Sequence, residues 1–278
     1  MPVNIPKLYQ PFNMELSVLI SDVIALTKQV GEFIRHESLI FDRDFVEYKG
    51  LNDMVSYVDK TAEDRLVKGL SELLPEAGFI TEEHTLNQEG EIYSWIIDPL
   101  DGTTNFIHGI PTFSISIALQ CKDELVLGVV YEINRDECFY AWKDGGAFLN
   151  GKPIKVTKAQ KLENTLLATG FPYYDFEKQE PYLEVFKELM LSCHGLRRIG
   201  SAAVDLAYVA AGRFDGYFEY NLNSYDIAAG MVLVKEAGGH ICDFSGGDKS
   251  IQKREIIATN GLIPNEILVI VARHFKND

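Results

Sequence analysis

The sequence predicts a mixed α/β layered sandwich. Three observations point that way. Two amphipathic helical stretches fill the first quarter. Short β-rich segments joined by turn residues run through the middle. Helices and strands alternate in the final third. Elements with one apolar face each have to stack in layers to cover it.

In 14–37, Leu16, Leu19, Ile20, Val23, Leu26, Val30, Phe33 and Ile34 recur at helical spacing, with Asn13 as candidate N-cap. Ala62, Leu66, Leu70, Leu73 and Leu74 predict a second helix over 60–74, stopped by Pro75 and Gly78. A short apolar strand, 92–97, ends at Asp98-Pro99. Strands 114–120, 124–133 and 137–142 follow as an antiparallel meander, with turns at Lys122-Asp123 and Asn134-Arg135-Asp136. Asn150-Gly151 marks a hairpin turn between 147–149 and 153–156. Beyond it the pattern predicts strands at 166–169, 216–220, 240–244 and 256–259. Helices are predicted at 179–193, 202–211, 225–237 and 264–275.

With 278 residues, 46% apolar and 24% charged, the chain can build a sizeable core and is not a disordered scaffold. Its 26 Lys and Arg against 41 Asp and Glu give a net charge of −15. That charge repels a phosphate backbone, so neither broad nucleic-acid binding nor docking on anionic membranes is expected. A small anionic substrate stays compatible if metal ions intervene. Cys121, Cys138, Cys193 and Cys242 are far apart with no C-x-x-C pair, so four reduced thiols are expected. The N-terminus shows no signal-peptide pattern and no stretch approaches a membrane span. The expectation is a soluble cytoplasmic protein, one continuous domain over 1–278. A two-lobed form with the site between the lobes is a further option.

The most informative segment runs Trp95-Ile96-Ile97-Asp98-Pro99-Leu100-Asp101-Gly102-Thr103-Thr104-Asn105-Phe106. A buried strand delivers Asp98, and Asp101 returns a second carboxylate three residues on. Gly102 frees a tight turn, and Thr103-Thr104-Asn105 opens a helical turn with free N–H groups. Two hard oxygen ligands beside an anion-binding turn suit a phosphate bridged by divalent cations. The same letters also read as a D-P turn before an N-capped helix, with Asp101 or Thr103 as the cap.

The segment resembles the signature of the inositol monophosphatase family, within the lithium-sensitive, magnesium-dependent phosphatases. Two further motifs follow the family order: Phe79-Ile80-Thr81-Glu82-Glu83 upstream, and Ser224-Tyr225-Asp226-Ile227-Ala228-Ala229-Gly230 with Glu236-Ala237-Gly238-Gly239 downstream. The resemblance spans nearly the whole chain. It implies an αβαβα sandwich, often a homodimer, inhibited by Li⁺. It also implies that Glu82, Asp98 and the Leu100 carbonyl bind one Mg²⁺, and that Asp98, Asp101 and Asp226 bind a second. A third, weaker ion is implied near Glu82. All-carboxylate ligation selects Mg²⁺ or Mn²⁺ over Zn²⁺.

By the same resemblance Thr103 orients the attacking water, paired with Asp59 and with Glu82 on the other side. The Gly102 and Thr103 N–H groups cradle phosphate. Asp59 also reads as the N-cap of the second helix, and Asp226 as an acid favourable at any helix start. Gly200, Ser201 and Ala202 are implied to touch the substrate ring, and Glu219 to accept from a ring hydroxyl; a solvated carboxylate at a strand end is the other reading of Glu219. Lys49, in Lys49-Gly50-Leu51-Asn52-Asp53, matches a mobile family loop and equally an ordinary surface Lys. Thr81 stands where the family has Gly, Tyr225 where it has Trp, and the loop before Asp53 is one residue shorter than in some relatives; no ligand is lost.

His84 and His108 lack a partner at metal-ligand spacing. No P-loop or G-x-S-x-G elbow is present. Arg197-Arg198 reads as an ion pair or subunit contact. The expected activity is Mg²⁺-dependent hydrolysis of a small polyol or sugar phosphate, led by inositol 1-phosphate, with no phosphoenzyme. The alternatives are a fructose-1,6-bisphosphatase, an adenosine 3′,5′-bisphosphate nucleotidase, a histidinol-phosphate phosphatase, or a regulatory binding protein with incidental hydrolysis.

Overall fold

The computed structural model describes residues 15–50, 53–172 and 176–275. In chain order the elements are α1 (Leu16–Ile40), β1 (Glu47–Gly50), β2 (Asp53–Val55), α2 (Tyr57–Leu73), β3 (Gly78–Thr81), β4 (Tyr93–Asp101), α3 (Thr103–His108), β5 (Ser114–Cys121), β6 (Glu124–Glu132), β7 (Glu137–Trp142), β8 (Gly146–Leu149) and β9 (Lys152–Ile154). Then come β10 (Leu166–Thr169), α4 (Gln179–Ser192), β11 (Gly195–Arg197), α5 (Ala202–Ala210), β12 (Gly216–Tyr220), α6 (Ser224–Glu236), β13 (His240–Cys242), α7 (Ser250–Lys253), β14 (Glu255–Thr259) and α8 (Pro264–His274).

Two mixed sheets form the frame. The larger has the order β3-β4-β5-β6-β7-β8-β9, antiparallel except for the parallel pair β3 and β4. The smaller has the order β11-β10-β12-β14-β13, with β10 parallel to both its neighbours. Both are buried on two faces, and the side chains divide by the period of two. Trp95, Ile97 and Val129 point toward α1 and α2, whereas Ile96 and Val130 point toward α5 and α6. In the smaller sheet Tyr217 and Ile256 meet α5 and α6, and Phe218 and Ile257 meet α4 and α8. The layers are therefore αβαβα. Fully burying each such side chain stabilises by about 1.5–3 kcal/mol before entropy is counted.

Small residues let the middle layer close. A Cβ on Gly230 would lie 2.4 Å from Leu206 Cβ, and one on Gly128 would lie 2.5 Å from the Ala229 carbonyl oxygen. Both sides of α6 are thus held at backbone range.

Several boundaries move from the sequence expectation. The second helix starts at Tyr57, three residues earlier than predicted, because Ser56 caps it and Asp59 returns its carboxylate to the Ser56 N–H. Asp59 is therefore at the third helical position and is not the N-cap. Asn13 and Met14 lie outside the described residues. The parallel strand β3 was legible only as part of a motif. The four cysteines are free. No helix among the described residues is long and apolar enough to cross a membrane.

Candidate active site

The site is built on an irregularity in β4. Asp98 pairs with Ser116 and Asp101 with Ser114, so the register slips across Pro99 and Leu100. The strand does not end at Asp98-Pro99 as predicted. It runs on to Asp101, because Pro99 sits where the ladder needs no N–H from it. The Leu100 N–H turns back and donates to Asp98 Oδ1 at 2.9 Å. Gly102 then adopts φ +95° and opens α3, with no side chain capping it. Neither Asp101 nor Thr103 is the cap. A Cβ at Gly102 would stand 3.1 Å from the carbonyl oxygens of Gly200 and Thr112, a second reason for glycine there. The first-turn N–H groups of α3 have no intrahelical acceptor.

The other carboxylates arrive from different elements. Glu82 follows β3 and is tied to β4 by its N–H to the Ile97 carbonyl, 3.3 Å. Asp226 lies in the first turn of α6 and accepts from the Asn223 N–H at 2.5 Å. Ser116 Oγ donates to the Tyr225 carbonyl at 3.1 Å and so pins that helix start to β5. Asp101 Oδ2 accepts from Ser201 Oγ at 2.6 Å and from the Ala203 N–H at 2.7 Å. Behind the cluster, Thr103 Oγ1 donates to Asp59 Oδ1 (3.1 Å) and to the Leu100 carbonyl (3.0 Å).

One cavity of about 260 Å³ gathers the predicted residues. Glu82, Asp98, Leu100, Asp101, Gly102, Thr103 and Asp226 line it together with Gly200, Ser201, Ala202 and Glu219. Asp59 stands outside the lining, fully buried behind Thr103. Ser201, expected on the substrate, is committed to Asp101 and to capping α5. Glu219 is not a solvated carboxylate. It is 6% exposed and accepts from the Tyr217 hydroxyl at 2.5 Å. The Lys49 side chain lies outside what the structure describes.

Burial is the leading electrostatic fact. It pushes Glu82 and Asp98 well above the usual carboxylate range, reinforced for Glu82 by the charge of Asp226 and for Asp98 by Glu82 and Asp101; the two carboxyls share a hydrogen bond. Burial raises Asp101 to about 6 against the Ser201 hydroxyl and the Ala203 N–H, which lower it. Asp226 is pushed up to about 7 by burial and by Asp101, and Glu219 to about 8 by burial.

Divalent cations are what such a donor set fits: four carboxyls facing one cavity, hard oxygen only, each resisting ionisation chiefly through desolvation. Among the described residues, no three His, Cys, Asp or Glu side chains are set to hold an ion as they stand. Their oxygens are turned to one another and to nearby donors.

Sequence reasoning missed several residues here. Arg198, read from the sequence as an ion-pair or subunit-contact residue, lines the cavity, and its charge lowers Asp101 and Glu219. Asp205 also lines the cavity, 2% exposed, with Oδ1 unpartnered. Gly170 leaves the space that Glu219 fills, since a Cβ there would fall 2.0 Å from Glu219 Oε2. A lone basic pair in an acidic chain was the one available signal for Arg198. Of the two histidines, His84 lines the cavity and His108 is exposed.

Comparison with known proteins shows the family. The model of the inositol monophosphatase family matches residues 15–277. Inositol-1-monophosphatase of Mesorhizobium japonicum is 38% identical over 261 residues, covering 94% of this chain and 98% of that protein. Nus factor SuhB of Pseudomonas aeruginosa is 39% identical over 261 residues, covering 92% and 96%. The crystal structure of the extragenic suppressor protein suhB from Bartonella henselae superposes with a TM-score of 0.86 at 38% identity, covering 91% of this chain and 98% of that one.

Proposed function

The chain belongs to the inositol monophosphatase family, and from that premise we propose that it hydrolyses small phosphate monoesters of polyols, inositol 1-phosphate first among them. The observation that carries the reading is the convergence of Glu82, Asp98, Asp101 and Asp226, from three separate segments, on the cavity that Thr103 and Gly102 also line. A fold alone has no need for four repelling carboxyls in one place, because unpaired buried charge costs stability.

Glu82, Asp98, the Leu100 carbonyl, Asp101 and Asp226 would hold two or three Mg²⁺ ions, with Mn²⁺ a substitute. Such ions offset the charge of a phosphate dianion and acidify a bound water. The chain's own residues do the rest. Thr103 gives its one hydroxyl proton to Asp59 and Leu100, which turns its lone pairs to accept from a water. Asp59, held by the Ser56 N–H and hydroxyl, fixes that orientation. The first N–H groups of α3 at Gly102 and Thr103 cradle phosphate oxygens. Ser201 holds Asp101 in place, and Glu219 accepts from a hydroxyl of the leaving polyol. Gly200 and Ala202 shape the wall beside it.

The same proposal includes a cytoplasmic, lithium-inhibited homodimer with no nucleic-acid or membrane partner. A second reading rests on the relatives named Nus factor: a regulatory protein in which hydrolysis is incidental. Phosphate release separates the two. Inositol 1-phosphate, fructose 1,6-bisphosphate, histidinol phosphate and adenosine 3′,5′-bisphosphate are assayed with Mg²⁺, with EDTA, and with Mg²⁺ plus Li⁺. Magnesium-dependent turnover led by inositol 1-phosphate is expected, and Asp98→Asn loses it by several orders of magnitude together with any Mg²⁺-dependent rise in melting temperature. No turnover on any substrate favours the regulatory reading.

A further inference from the structure

Helix α2 carries two fully buried carboxylates one turn apart, Asp59 and Glu63. At i and i+4 they share one face. Asp59 reaches Thr103. Glu63 reaches the segment after β3: the Glu83 N–H donates to Glu63 Oε2 and the Thr85 N–H to Oε1, each at 2.8 Å. Each oxygen of one buried carboxylate thus holds one backbone donor of the stretch that begins with Glu82. His84, between the two donors, adopts φ 59°, the left-handed region uncommon for a residue with a side chain. Glu82, Glu83 and His84 all line the cavity.

We propose that Glu63 is a positioning residue of the catalytic site, holding the Glu82–Thr85 segment in fixed register with Thr103 through α2. The helix is stiff enough for the task. Leu66 and Leu70, the next turns of the same helix, are fully buried in the outer core, and the reciprocal Ser56–Asp59 hydrogen bonds fix its start. Charge-assisted bonds to backbone N–H groups, shielded from water, are strong for their kind. They hold the His84 conformation that lets Glu82 face Asp98. Without them Glu82 keeps its N–H bond to the Ile97 carbonyl, but the backbone just after it loses both carboxylate anchors, and the Glu82 side chain loses its fixed distance from Asp98 and Thr103.

This inference rests on the reading of Glu82 as a metal ligand, and the experiment keeps the two apart. Amide exchange at Glu83 and Thr85 in the wild type, without metal, tests the clamp itself. Strong protection is expected there, lost by roughly 10- to 100-fold in Glu63→Gln. Exchange in the wild type as fast as in an open loop overturns the proposal outright. Calorimetric Mg²⁺ titration tests the consequence. Glu63→Gln is expected to weaken Mg²⁺ binding by about 10- to 100-fold while kcat at saturating Mg²⁺ stays near that of the wild type. A residue that only stabilised the fold would lower the melting temperature and leave Mg²⁺ affinity within twofold, and that result also overturns the proposal. If Glu63→Gln does not fold, Glu63→Asp, which keeps the charge and shortens the reach, carries the same comparison. Failure of the wild type to bind Mg²⁺ at all would refute the metal reading while leaving the exchange result to judge the clamp.

Discussion

Replacing Gly170 by alanine adds one methyl group, and its neighbourhood sets the cost. The new Cβ would fall 2.0 Å from Glu219 Oε2 and 2.2 Å from its Cδ and Oε1. The backbone is not the obstacle, since Gly170 is absent from the left-handed region. A flexible carboxylate would step aside cheaply. Glu219 is not free to do so, being 6% exposed and bonded by the Tyr217 hydroxyl. Either that bond breaks or the chain at 170 shifts, and overpacking of this kind costs about 1–3 kcal/mol. For a chain of this size that lowers the melting temperature by about 2–4 °C per kcal/mol. The assay is urea or thermal unfolding of four proteins: wild type, Gly170→Ala, Glu219→Ala and the double variant. In the Glu219→Ala background the three atoms nearest the methyl group are gone, so the coupling energy should match most of the single-variant loss. A loss below about 0.5 kcal/mol, or an equal loss in both backgrounds, refutes the steric argument.

Two other expectations are as direct. Thr103→Val keeps the shape and removes the hydroxyl between water and Asp59; kcat should fall by about 10²–10⁴, with Thr103→Ser retaining most of it, as steady-state kinetics at saturating Mg²⁺ will show. Asp243 anchors the turn after β13, accepting from the Ser245 N–H (2.8 Å) and hydroxyl (2.6 Å) and the Gly247 N–H (3.0 Å), with Lys253 Nζ at 3.1 Å. Burial alone would raise its carboxyl, yet the Ser245 hydroxyl, the Gly247 N–H and Lys253 hold it well below the usual range. Asp243→Asn should therefore cost about 1–3 kcal/mol at pH 7. That gap is complete above about pH 4, the unfolded value, and shrinks as pH falls toward the depressed folded one. Denaturant midpoints at pH 7 and pH 3 measure it.

The helices and the antiparallel meander were legible because their signals are local: apolar periodicity, turn pairs and glycine stops. Strand Glu137–Trp142 and strand Gly216–Tyr220 fall where the pattern put them. The four carboxylates that line the cavity were legible through three ordered motifs. What escaped depends on contacts distant in sequence. Pro99 reads as a strand end until the register slip shows why β4 can carry it. Glu63 reads as one charge on an amphipathic helix, and only the fold shows that it is fully buried against the Glu83–Thr85 backbone. Glu219 reads as a strand-end acid, because the glycine that makes room for it lies 49 positions away.

Helix α6 wedges between the two sheets, and that has a consequence for biosynthesis. Glu82, Asp98, Asp101 and Thr103 leave the ribosome more than a hundred residues before Asp226. A nascent chain with its meander already paired holds half of the site and no ceiling over it. Domains form as units during synthesis, and here the middle layer is complete only once residues 224–236 pack against Gly128 and Leu206. Until then the four carboxyls are not in one place. On the proposed reading, no turnover is expected from a chain whose residues 224–236 have yet to join the earlier segments.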